Sequence, residues 1–345
     1  MNKFSEYEDK GLTGLSNLGN TCFLNSTIQC LSHTYELNNI LNDIDFGENN
    51  MENKTLLCNE WNNLRKLMWT QNCMISPGRF IKCVHHIAKL KKRDIFTGFA
   101  QNDLPEFFLF FMEELHNALN KKVEFNEETN NSKLDKKCFK VMKDLYNKEY
   151  SDIIKLFYGI HVSQIMDLET EKIHIQNPEP FFMIDLPIPN KRNISIKDCF
   201  DLYTKKEVMD KENMWYNEET KEKEQLKKQI LFHSLPQILV VDFKRFHNNT
   251  RKNNSLIDFP INNLNLTEYI IENESETDAE TYIYDCYGIC NHSGSSMGGH
   301  YTAFIKNANE EWYHFNDTRV TKLNSTKDLV SQKAYCLFFR KKIND

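Results

Sequence analysis

Apolar positions recur at helical spacing through the first third of this chain and at strand spacing through most of the remainder. After the turn-like run Ser16-Asn17-Leu18-Gly19-Asn20-Thr21, apolar residues at 23, 24, 27, 28 and 31 fall on one helical face. A helix therefore opens at Cys22, with Asn20 or Thr21 as its cap. Trp61, Leu64, Leu67 and Met68 mark a second amphipathic helix, and residues 103–116 a third. In the third, Asp103 suits the N-cap, Pro105 and Glu106 suit the first turn, and Phe107, Phe108, Phe110 and Phe111 serve packing. From 120 to 150 Asn, Lys and Glu dominate, and 126–132 reads as an exposed loop flanked by a helix. Aromatic and β-branched runs at 157–162, 181–186, 237–243, 282–289, 300–305, 312–315 and 335–339 predict strands. Polar stretches at 216–228, 247–255 and 272–280 read as solvated loops, the first with helical character. Helices first and sheet afterwards favour an α+β fold over a doubly wound α/β one.

At 345 residues, with 40% hydrophobic and 27% charged residues, the chain can bury a substantial core. A net charge of −6 lacks the basic footprint of a nucleic-acid binder. Residues 1–10 carry no apolar segment of the secretory kind and read as a mobile leader. The longest apolar run, 107–112, is far short of the roughly 20 residues of a membrane span. Ten cysteines without a secretory signal imply reduced thiols in the cytoplasm or nucleus. No Cys-x-x-Cys pair occurs, which removes the main sequence argument for structural zinc. Cys286, Cys290 and His292 would share one strand face and could meet a metal, but buried small residues are the simpler reading.

A cysteine opening a helix has its thiolate stabilised by unpaired backbone N–H groups and the helix dipole, and a nearby imidazolium would lower its pKa further. Downstream stand Gly298-Gly299-His300-Tyr301 and then Trp312-Tyr313-His314-Phe315-Asn316-Asp317. Gly298 and Gly299 permit unusual backbone angles and close substrate approach beside His300. Together these are the parts of a thiol protease.

Residues 14–26, ending Gly19-Asn20-Thr21-Cys22-Phe23-Leu24-Asn25-Ser26, and the segment from His292-Ser293-Gly294 to Gly298-Gly299-His300-Tyr301-Thr302-Ala303 resemble the cysteine and histidine boxes of ubiquitin-specific proteases. Residues 99–107, 239–246, 312–317 and 334–339 match further family segments in the same order, so the resemblance runs from about 11 to 340. It implies a papain-like core in one domain over 11–343, with a thumb at about 11–150, fingers at about 157–235 and a palm at about 236–343. The tail of ubiquitin would thread between thumb and palm.

The resemblance also assigns roles. Cys22 would attack the carbonyl of ubiquitin's last glycine and form a thioester, and His300 would accept the thiol proton and protonate the leaving amine. Asn316 matches the residue that orients the imidazole, with Asp317 as its assistant; both are also ordinary turn residues. Asn17, five residues before Cys22, matches an oxyanion donor acting with the Cys22 backbone N–H. Asp103 and Glu106 would face ubiquitin's basic tail, although Pro105 stands where relatives usually carry a polar residue. Tyr301 and His292 would line the cleft, and Lys244 and Arg245 would point outward or cap palm contacts. Many relatives bind zinc at the fingertip through two Cys-x-x-Cys pairs. No cysteine occurs near 163–169 or 215–219, so these fingers should hold by strand pairing and packing. The family implies no metal or organic cofactor, ubiquitin and ubiquitinated proteins or chains as partners, and neither nucleic acid nor membrane. No flanking targeting module is read in the chain. Two alternatives are a catalytically inactive ubiquitin-binding module and a protease for another ubiquitin-like modifier.

Overall fold

The structure, a computed structural model, describes residues 3–44, 53–123, 132–210, 213–217, 221–247, 251–271, 281–295 and 298–342. The loops read at 126–132 and 272–280, and residues 248–250 of a third, lie largely or wholly outside them.

The first half is helical. α1 (Cys22–Ser32) has every residue buried and runs through the middle of the molecule. Around it stand α2 (Tyr35–Asn42), α3 (Asn53–Thr70), α4 (Gly78–Leu90) and α5 (Leu104–Leu119), followed by α6 (Lys133–Glu149) and α7 (Asp152–Phe157). The predicted apolar stripes supply the contacts. Trp61 of α3 and Phe80 of α4 meet Phe111 of α5 edge-on at 5.9 and 5.7 Å, and Phe107 stacks on Phe111 at 5.8 Å. Such pairs add to the area buried. Leu67 departs from its predicted face and is 57% exposed.

Neither predicted cap is made. Thr21 occupies the N-cap of α1 without a side-chain capping bond, because its Oγ1 accepts the Leu18 N–H at 3.1 Å instead. Asp103 occupies the N-cap of α5, but its carboxylate is drawn away to two tyrosines of the sheet.

Two sheets follow. The smaller comprises β1 (Gly159–Met166), β2 (Ile173–Phe181), β4 (Glu207–Met209) and β5 (Leu226–Ser234), in the order β2-β1-β5-β4. The larger contains β3 (Ile184–Leu186), β6 (Ile238–Phe243), β7 (Leu264–Asn265), β8 (Ile283–Ser295), β9 (Gly298–Lys306), β10 (Trp312–Asn316), β11 (Arg319–Lys322) and β12 (Ala334–Lys341). Its order is β11-β10-β9-β8-β12-β6-β3, with β7 beside β8. One buried cluster fills the space between the helices and this sheet, and a second lies under α8 (Ile196–Tyr203) on the other face. Burial on both faces explains why β6 reads as an unbroken apolar run rather than an alternation.

The strands begin and end differently from the sequence reading in several places, three of which change an element. Phe157 closes α7, and β1 starts at Gly159. The run 181–186 divides, its first residue ending β2 and its last three forming β3 in the other sheet. The described residues of the stretch 216–228 are not helical: Trp215–Tyr216 pairs with Lys223–Glu224, and β5 begins at Leu226. Strand pairing satisfies part of this polar backbone while most of its side chains face water.

The distal end of the smaller sheet is held by local bonds. Asp167 Oδ1 accepts the Glu169 and Thr170 N–H groups at 3.0 and 2.8 Å, Lys206 pairs with Glu171 at 2.7 Å, and the His174 and Trp215 rings stack at 6.2 Å.

Residues 3–10 of the segment expected as a leader are docked. Tyr7 stacks on Tyr35 at 4.6 Å and donates to Asn39 Oδ1 at 2.8 Å, while Asn307 accepts the Asp9 N–H and donates to the Lys10 carbonyl. Its aromatic residues have an apolar patch to cover, which a mobile leader would leave wet. Among the described residues no helix is long and apolar enough to cross a membrane.

Candidate active site

The turn before α1 is built by Asn17. Its Oδ1 accepts the N–H groups of Gly19 and Thr21 at 3.2 and 3.0 Å, and Gly19 adopts φ +105°, which a side chain would strain. This turn delivers Cys22 to the first position of α1, where only 3% of the residue is exposed. β9 runs alongside and carries His300, whose Nε2 lies 2.7 Å from Oδ1 of Asn316, the last residue of β10.

The next residue goes elsewhere. Asp317 takes a left-handed φ of +48°, which turns its carboxylate toward the segment before α1. Oδ2 accepts Asn17 Nδ2 at 3.1 Å and Oδ1 accepts Asn25 Nδ2 at 2.8 Å, while the Asp317 carbonyl accepts the Leu15 N–H at 2.9 Å. Asn316 thus bonds the imidazole, and Asp317 ties the sheet to the cysteine-bearing turn.

The Cys22 thiol departs from its expected acidity. Burial is the largest influence and pushes its pKa up, with Asp317 adding to the rise. The N–H groups of Tyr301, Phe23 and Cys22 itself pull the other way and are outweighed. The helix start therefore acts in the expected direction, but enclosure among apolar neighbours is stronger.

In front of Cys22 lies a cleft of about 460 Å³ whose wall includes the carboxylates of Asp103, Glu106, Asp185 and Asp242. Asp103 stands at its open mouth, and Oδ1 accepts both the Tyr301 hydroxyl at 3.0 Å and the Tyr335 hydroxyl at 2.9 Å. The protein packed around Asp103 raises its carboxyl pKa, and the two phenol bonds partly offset this. Asp242 is more enclosed, and burial, with Asp103 and Asp185 adding to it, pushes its pKa well up. Tyr301 and His292 line the same cleft with their rings 4.6 Å apart. Burial lowers the His292 pKa to about 4, so the ring is neutral near pH 7.

Arg245 does not point outward but follows the other reading, capping carbonyls of the 236–343 region. It is fully buried and donates to the carbonyls of Ala334, Asn253 and Ser255 at 2.8, 2.9 and 2.9 Å. Only Lys244 points outward, 3.3 Å from Asp185. Nor do Cys286, Cys290 and His292 assemble on one face, because bulges at 286–288 and 290–291 interrupt the period of two. Cys290 Sγ lies 3.5 Å from Cys30 Sγ, while His292 turns to the cleft. Among the described residues no group of three or more His, Cys, Asp or Glu could hold a metal ion.

Sequence reasoning did not single out Gln101, Asn25, Asp242 or Tyr335. All four lie inside segments that carried the family resemblance, but none was given a role, because an asparagine within a helix and an aspartate closing an apolar strand have no pattern of their own.

A cysteine opening a buried helix, set against a sheet edge that bears an amide-held histidine, defines the papain-like class of α+β fold. Residues 13–339 match the family described as Ubiquitin carboxyl-terminal hydrolase, and the chain belongs to that family. It is 32% identical to ubiquitin carboxyl-terminal hydrolase 2 of Homo sapiens, over 96% of this chain and 55% of that protein. Its identity to ubiquitin carboxyl-terminal hydrolase 2 of Gallus gallus is 33%, over 96% of this chain and 93% of the relative. The chain thus spans about half the length of the human relative. Among solved structures, the SAGA Ubp8/Sgf11/Sus1/Sgf73 DUB module bound to ubiquitin aldehyde superposes with a TM-score of 0.75 at 24% identity, covering 99% of this chain and 72% of that one, a likeness of fold.

Proposed function

We propose that this chain is a deubiquitinating thiol isopeptidase that hydrolyses the bond after the C-terminal Gly-Gly of ubiquitin in ubiquitinated proteins and ubiquitin chains. The observation that carries this reading is the His300–Asn316 pair on the strands packed against α1, whose Cys22 opens onto an acid-walled cleft, in a chain of this family. Asn316 Oδ1 can only accept, so His300 presents Nε2–H to it and keeps Nδ1 free for a proton. Because the thiol is raised by burial, His300 takes its proton as Cys22 attacks the glycine carbonyl, rather than from a preformed ion pair. The resulting oxyanion is met by the Cys22 backbone N–H and by Asn17 Nδ2, which also bonds Asp317. His300 then protonates the leaving amine, and the C–N bond breaks to leave the thioester. A water that gives its proton to His300 cleaves this and restores the thiol.

Asp103 and Glu106, with Asp185 beside them, suit the basic tail of ubiquitin. Thiol and imidazole supply the nucleophile and every proton transfer, so the reading includes no metal or organic cofactor. It treats 11–343 as one catalytic domain of thumb, fingers and palm, acting in the cytoplasm or nucleus on ubiquitin and its conjugates, with no role for nucleic acid or membrane. The test is incubation with ubiquitin bearing a C-terminal electrophile, read by intact mass. One adduct on the wild type and none on Cys22→Ala is the expected outcome. Binding without an adduct would favour the inactive binder, and no binding would favour another modifier.

A further inference from the structure

The edge of β9 that faces the cleft is covered over only part of its length. β10 pairs with it from Ala303 to Lys306, and among the described residues no strand adjoins Gly298 to Thr302 on that side. Alternate residues of a strand turn their N–H and C=O to the same edge. On this edge Tyr301 offers its N–H to the Cys22 thiol. Two residues earlier, Gly299 donates its N–H to Gln101 Oε1 at 2.5 Å and accepts Gln101 Nε2 on its carbonyl at 2.9 Å. A single side-chain amide thereby makes both bonds that an adjoining antiparallel strand would make with one residue. Gln101 precedes α5, on the helical wall of the cleft, so this bridge spans the opening immediately beside Cys22.

We propose that the Gln101 amide holds the place of a peptide group of the substrate's extended C-terminal tail, which binds by displacing it and pairing with the β9 edge from Gly299 toward Tyr301. The inference rests on the deubiquitinase reading above and adds a self-made closure of its site. An extended chain added to an open sheet edge is a general recognition mode in which main-chain bonds supply affinity. Here the edge is already satisfied, so the tail competes with a tethered amide. The apparent affinity is reduced by the fraction of molecules in which the bridge is open.

The test compares wild type with Gln101→Ala and Gln101→Met, the second keeping bulk while losing both bonds; position 101 is exposed, so folding is not at stake. Turnover of ubiquitin carrying a C-terminal fluorogenic amide should show KM falling about fivefold in both variants, the net worth of about one to two hydrogen bonds, with the gain carried by KM rather than kcat. Hydrogen exchange should find the Gly299 N–H protected in the free wild type and exposed in both variants. A KM that is unchanged or raised, a Met variant behaving as wild type, or equal Gly299 exchange in all three would overturn the displacement. A wild type that neither turns over nor takes the ubiquitin electrophile would overturn the deubiquitinase reading itself, and the displacement with it.

Discussion

The division of labour between Asn316 and Asp317 makes a sharp prediction, because adjacent residues are assigned different work. Asn316→Ala removes the acceptor 2.7 Å from His300 Nε2 and nothing else of note. A neutral hydrogen bond is worth about 1 kcal/mol net, which alone would slow turnover roughly fivefold. The imidazole also loses its orientation, and misplacement of a reacting group on the order of 1 Å costs about 100-fold. The expected fall in kcat is therefore about 100-fold, or about 2.7 kcal/mol of barrier, with little change in melting temperature. Asn316→Asp keeps an acceptor and should retain most activity. Asp317→Ala instead loses the bonds from Asn17 and Asn25, at 3.1 and 2.8 Å. Bonds to a charged acceptor are worth about 1.5–3 kcal/mol each; discounted for partial exposure, the pair should cost roughly 2–4 kcal/mol of stability. The assay is turnover of ubiquitin with a C-terminal fluorogenic amide, alongside thermal unfolding of the same samples. Near-normal kcat in Asn316→Ala, with kcat abolished and melting unchanged in Asp317→Ala, would refute the assignment.

Four further outcomes follow from the geometry. Burial lowers the His33 pKa from 6.5 to about 4, so its contribution to stability is complete above about pH 6.5 and is lost as pH falls toward 4; urea unfolding should show roughly 2 kcal/mol of this gone at pH 5, and a flat profile that His33→Gln leaves unchanged would contradict it. Arg245→Met strands three carbonyls and leaves Asp242 without its cationic neighbour, so it should cost about 3–5 kcal/mol in urea unfolding, only partly recovered by Arg245→Lys. In Gly299→Ala the new Cβ would lie 2.2 Å from His292 Nε2, so the strand bearing His300 must shift and kcat/KM should drop at least about tenfold. Alkylation of Cys22 in the free chain should climb with pH through and beyond the ordinary thiol range, and a rate already level between about pH 6 and 8 would mean a preformed thiolate.

Elements whose packing is local were legible in advance. The α1 face at 23, 24, 27, 28 and 31, the aromatic stripe of α5 and the strands at 238–243, 312–316 and 334–341 follow from periodicity, because each buries side chains set by its own spacing. All of β5 and all of β2 but Phe181 escaped. Their patterns mix exposed and half-buried positions, since the smaller sheet has little core to impose an alternation. The docked 3–10 segment was missed for a related reason. Phe4 and Tyr7 are isolated aromatics among charges, and their partners Tyr35 and Trp69 are brought to them only by the fold.

The site divides along the same line. Residue types and boxes pointed to Cys22, His300, Asn316 and Asp103, yet the sign of the Cys22 shift and the target of the Asp103 carboxylate came out otherwise. Both depend on what surrounds a group rather than on its own element. A helix N-terminus is a local property and lowers a thiol pKa wherever it occurs. Enclosure by α5 and β9 is a tertiary property, and at Cys22 it prevails. Asp103 would cap its helix if α5 stood alone, but Tyr301 and Tyr335 offer two phenol donors, so the carboxylate links helix to sheet across the cleft. The helical wall of the cleft is thus tied to the sheet by two side chains, Asp103 and Gln101, and only the second of these ties uses main-chain groups that an extended tail could replace.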